Sequence, residues 1–146
     1  MTLEIGVNAI QTLRASGTVL TGTPVVSSTI FVTGAYHAAL TLSYERGDAN
    51  GQCDFYVEIS PFSDDDLAES DEIWARAAVR QIGTLTPGTE VSSDLQQYDV
   101  SFKPLTANNE TVVFALELAG VIERMRVYFS DPSAAKGDAG MKVGLR

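Results

Sequence analysis

Nucleophilic catalysis of the Ser-His-Asp or Cys-His kind needs an imidazole beside the nucleophile. The chain has one imidazole, His37, and one thiol, Cys53. His37 opens an apolar stretch, where a single histidine reads as structural. Transition metals take several His or Cys ligands, so one of each does not make a site. A phosphate-cradling glycine loop leading into a helix is absent. Oxygen ligands are plentiful, because Asp64, Asp65, Asp66, Glu69, Asp71 and Glu72 crowd one segment. Ca²⁺ accepts such oxygens, but the run lacks the mid-loop glycine and closing Glu of an EF-hand. It reads as a solvated acidic loop, as does 131–138 with Lys136 between the last two strands. A glycosidase needs only two carboxylates, yet with 19 acidic side chains any chosen pair is uninformative. The expectation is a chain with no catalytic residue, no metal and no cofactor, and hence not an enzyme.

Aromatic residues are the remaining candidates. Trp74, Tyr56, Tyr98 and Tyr128 fall on outward positions of the strands described below, as does the apolar Val113. Exposed aromatics on a β-sandwich stack on sugar rings or anchor a protein interface. The competing reading is that both faces of a sheet are covered, for instance by the N-terminal segment. Outward apolar residues such as Val113, Ala115 and Ala119 suit a homo-oligomer, a dimer or trimer.

Period-two alternation positions these residues. His37 to Arg46 sets Leu40, Leu42 and Tyr44 on one face, and Cys53 to Ser60 sets Cys53, Phe55, Val57 and Ile59 on one face. Thr111 to Ala119 does the same with Val112, Phe114, Leu116 and Leu118. Val121 to Ser130 does so with Val121, Met125, Val127 and Phe129, Glu123 being the polar exception. Each reads as a strand buried on one side. Pro24 to Thr33, Tyr98 to Lys103 and Gly140 to Arg146 complete the set, and Gly, Asn and Asp occupy the turns. Over 63–81 a helical turn at Asp64 to Ala68 followed by a strand from Glu72 to Gln81 is expected, with a continuous helix as the alternative. Closely spaced strands of this kind predict an all-β chain, an antiparallel two-sheet β-sandwich of about eight strands.

The 146 residues suit one domain, able to bury about two-thirds of the unfolded surface. Residues 1–22 carry only Glu4 and Arg14 as charges and read as an N-terminal arm or an edge strand, with 23–146 as the sandwich. With Glu4 and no early Lys or Arg, the start does not read as a signal peptide. Ten basic against 19 acidic side chains give a net charge of −9, which repels phosphate backbones and anionic bilayers. Neither nucleic acid nor membrane is an expected partner. A single cysteine precludes an intrachain disulfide and fits a reducing cytoplasm.

The last third pairs the strand Val121-Ile122-Glu123-Arg124-Met125-Arg126-Val127-Tyr128-Phe129 with a polar loop. A glycine-introduced terminal strand, Met141-Lys142-Val143-Gly144-Leu145, follows. This pattern resembles accessory virion proteins of tailed bacteriophages, in particular jelly-roll capsid decoration (cement) proteins. The resemblance implies a jelly-roll-like sandwich that sits on the outer capsid surface after assembly in the host cytoplasm. It implies a dimer or trimer that clamps neighbouring major capsid protein subunits, often through terminal arms. The alternatives are a carbohydrate-binding module and a tail-associated component.

Overall fold

The computed structural model describes residues 10–63, 73–84, 96–104, 109–133 and 137–146. Among these the regular structure is entirely β. Sheet A runs β1 (Ile10–Arg14), β11 (Asp138–Leu145), β4 (His37–Glu45), β9 (Asn109–Glu117) and β7 (Arg80–Thr84), in that spatial order. Sheet B runs β2 (Val25–Val26), β10 (Arg124–Ser130), β5 (Cys53–Ser60) and β6 (Ala75–Ala77). Two further strands share its edges: β3 (Ile30–Phe31) also pairs with β10, and β8 (Val100–Phe102) also pairs with β5. Every pairing is antiparallel.

The two short edge pairs are halves of interrupted strands. Between β2 and β3, Ser27 N–H donates to the Val127 carbonyl at 2.7 Å, and the Ser27 hydroxyl accepts the Val127 N–H at 2.9 Å. A side-chain oxygen thus replaces a ladder carbonyl where the backbone bulges. With β2/β3 as one position and β6/β8 as another, eight positions follow along the chain. The first pairs with the eighth, the second with the seventh, the third with the sixth and the fourth with the fifth. This long hairpin, wrapped into two facing sheets, is the jelly roll. Strand β7 is an addition at the edge of sheet A.

Alternation assigns the core correctly. Leu40, Leu42, Tyr44, Phe114, Leu116, Met141 and Val143 from sheet A face Phe55, Val57, Met125, Val127 and Phe129 from sheet B, all buried. The Phe55 ring meets Phe114 edge-on at 5.0 Å across the two sheets and lies 6.2 Å from Phe129. Aromatic pairs of this geometry add about 0.5–1.5 kcal/mol beyond area burial.

Three expectations need correction. The strand read from Glu72 to Gln81 is two strands in different sheets. β6 pairs with β5, whereas β7 pairs with β9. The chain crosses at Ala78–Val79, where Val79 and Gln97 exchange both backbone hydrogen bonds at 2.9 Å. Alternation runs unbroken through this corner because both sheets bury their inner faces in one core. The alternative of a continuous helix fails over 73–84, and the helical turn expected at 64–68 lies outside the described residues. Secondly, Val121 is not inward but 68% exposed. Leu118 to Val121 form a tight turn with Ala119 at φ 55° and Gly120 at φ 74°, and β10 begins only at Arg124. Positive φ at both central residues makes a tight reversal, and because β9 and β10 belong to different sheets it carries the chain from sheet A to sheet B. Thirdly, Pro24 to Thr33 is the interrupted pair β2 and β3.

Within 1–22, residues 10–14 form edge strand β1 against β11. Leu13 and Leu20 are buried with the core.

Candidate functional site

Register on sheet B brings the outward side chains together. Tyr128 lies opposite Tyr56, Arg126 opposite Glu58 and Arg124 opposite Ser60. On the other side of β5, Arg76 of β6 also lies opposite Glu58. Tyr56 and Tyr128 stack at 4.9 Å between centroids, 17° from parallel. The Arg76 guanidinium sits 3.8 Å from the Tyr56 ring centre. The Arg126 guanidinium sits 3.9 Å from the Trp74 ring and 5.4 Å from Tyr128. Arg126 Nε also donates to Glu58 Oε1 at 2.8 Å, with both side chains mostly shielded from water. Arg76 completes the run with a short ion pair to Asp99. Each guanidinium–ring contact is worth about 0.5–1 kcal/mol at an exposed position and more when desolvated.

One end of this face is covered. Arg124 has outward parity yet is only 1% exposed. Its Nε donates to the Phe62 carbonyl at 2.6 Å, and its guanidinium lies 4.6 Å from the Trp74 ring. Phe62 and Trp74 therefore cap sheet B here, a role the sequence reading offered to the N-terminal segment. The Trp74 indole N–H is buried and meets no hydrogen-bond acceptor among the described residues.

Of the five candidate interface residues, Trp74, Tyr56 and Tyr128 converge. Tyr98 stands beside Asp99 and is 58% exposed at the mouth of a groove of about 560 Å³. His37, Arg76, Arg80, Gln96 and Glu117 also line it. Val113 lies on the opposite side of the molecule, half-buried on the outer face of sheet A between Thr41 and Gly83. The residues not anticipated are Arg76, Arg126 and Glu58. Their signal was available, because Arg76 shares the parity of Trp74, and Arg126 that of Tyr128.

His37 and Cys53 do not meet. His37 is exposed at the groove, which Ile59 at the far end of β5 also lines. Cys53 begins β5, so about 3.3 Å per residue puts it roughly 20 Å from that end. Burial pushes its thiol far above the usual range, with Asp54 adding to the shift and Arg14 opposing it. A thiol kept protonated is not a nucleophile. Among the described residues no group of three or more His, Cys, Asp or Glu is placed to hold a metal. The acidic segment 64–72 lies outside them.

No known family model matches this chain. No curated protein and no solved structure matches it either.

The arrangement is suited to binding. Trp, Tyr and Arg are the side chains that most often carry protein-interface energy. Here they are held in one geometry by their mutual contacts before any partner arrives, which lowers the ordering entropy lost on association.

Proposed function

We propose that this protein is a non-catalytic structural component of a virion, a decoration protein on the capsid surface of a tailed bacteriophage. On this reading it docks on the major capsid protein through the outer face of sheet B and bridges neighbouring subunits. The observation that carries the docking is the continuous run Trp74–Arg126–Tyr128–Tyr56–Arg76. Guanidinium groups over Trp74 and Tyr56, and a tyrosine stacked on Tyr128, leave little free ring face for a sugar. They present donors to carboxylates and carbonyls of a protein surface instead. The choice of partner rests on the resemblance of the final two strands to jelly-roll decoration proteins. A net charge of −9 argues against a nucleic-acid partner.

Co-sedimentation with purified phage heads tests the reading. The full chain should pellet with heads, and the double variant Tyr56→Ala, Arg76→Ala should lose binding at least tenfold with its circular dichroism unchanged. A full chain that stays in the supernatant overturns it. A second reading, a carbohydrate-binding or tail-associated module, is favoured by the groove beside Tyr98, where Gln96, Arg76 and Glu117 offer polar contacts next to an open ring. Retention on a glycan array, lost in Tyr98→Ala, would establish that reading in place of the first.

A further inference from the structure

The outer face of sheet A is unlike that of sheet B. Register sets Ile10, Gly144, Ala39 and Ala115 in one row across β1, β11, β4 and β9. The next row holds Thr12, Lys142, Thr41 and Val113. The small side chains of the first row leave a mostly apolar depression of about 500 Å³. Ile10 stands at the end of that row, 78% exposed. Protrusion and recess thus lie side by side on one face.

We propose that a second copy of this chain docks face to face on the outer face of sheet A, with Ile10 of each copy seated in the small-residue row of the other. Three observations select a second copy over another occupant. An isologous contact requires one surface to carry both halves of its own complement, and Ile10 with the row Gly144–Ala39–Ala115 does so. Charge points the same way. Two chains of net charge −9 repel each other, so they meet best through a surface free of that acidic excess. The two rows hold no acidic residue: their charges are Lys142 and, on β7 opposite Ala115, Arg80, and Arg146 also lines the depression. Size agrees as well. β4 and β9 each run nine residues, β11 eight, and β1 and β7 five, so with about 3.3 Å per residue and about 4.8 Å per strand the five-stranded face spans roughly 570 Å² before side chains roughen it. Stable interfaces take about 800 Å² from each partner. The pairing is independent of what sheet B binds.

Sedimentation velocity of the full chain, without capsids, tests it. At tens of micromolar the protein should sediment at twice the chain mass. A Cβ added at Gly144 meets no heavy atom within 4 Å, so Gly144→Arg is accommodated within one chain and obstructs only the contact. Gly144→Arg should sediment at the mass of one chain with unchanged circular dichroism, and Ala39→Arg should do the same. A wild-type monomer overturns the proposal. So does a trimer, which a face-to-face pair does not build, or a dimer that persists unweakened in both variants.

Discussion

Tyr128 on β10 stacks on Tyr56 on β5 as its direct cross-strand neighbour, with 4.9 Å between ring centres. Offset-stacked aromatic pairs on neighbouring strands are worth about 0.5–1.5 kcal/mol beyond their burial. A double-mutant cycle of Tyr56→Ala and Tyr128→Ala, read by urea unfolding, should return a coupling in that range. Strict additivity of the two losses would mean that the stacking contributes no stability of its own.

The two ends of the arginine run differ in what they hold. Arg124 is buried and bonded to the Phe62 carbonyl, whereas the Arg76–Asp99 pair is largely in water. Removing a buried donor leaves its acceptors unmatched, at a cost of about 1–3 kcal/mol. An exposed ion pair contributes about 0–1 kcal/mol. Arg124→Met should therefore destabilise clearly more than Arg76→Met in equilibrium denaturation. Equal losses would refute the role assigned to the Phe62–Trp74 cap.

Alkaline pH should weaken the fold. Burial raises the Cys53 thiol and the Tyr44 phenol above their ordinary values of 9.0 and 10.0, and Asp131 adds to the shift at Tyr44. Both groups are held neutral in the folded state. Their contribution is complete below the ordinary values and is lost as the unfolded chain ionises above about pH 9. Each unfolded-state ionisation removes about 1.4 kcal/mol per pH unit once complete. Stability measured between pH 8 and 10.5 should fall, and Cys53→Ala should flatten that slope whatever its effect at neutral pH. An unchanged slope in Cys53→Ala would remove the thiol from the account. Native protein should also resist a thiol-specific reagent until denaturant is added.

The N-terminal stretch is part of the sandwich from residue 10 onward. Leu13 and Leu20 are buried, and Leu20 N–H donates to the Gly137 carbonyl at 2.8 Å. A truncation of residues 1–22 removes both leucines and the strand that covers β11. It should lower the melting temperature by many degrees, and Leu20→Ala alone should cost about 2–5 kcal/mol. A chain lacking 1–22 that melts like the full protein would contradict this placement. Capsid binding by an arm is therefore to be tested with a deletion that stops before Ile10.

How far the sequence reaches depends on the range of the interaction. Inward and outward parity is a property of a single strand. Leu40, Phe55, Phe114, Val127 and Met141 were accordingly legible as core without reference to any neighbour, and with them the β class and the sandwich. Parity also placed Trp74, Tyr56 and Tyr128 outside. It said nothing of which strand lies beside which, because pairing joins residues as distant in the chain as Ile10 and Gly144. Only the tertiary structure put Tyr128 on Tyr56, split 75–84 between two sheets at Val79, and closed Phe62 and Trp74 over Arg124. Alternation records which side of a strand meets the core. Register, sheet membership and cover are decided by backbone hydrogen bonds and packing between segments far apart in the chain, and these leave no local period to read.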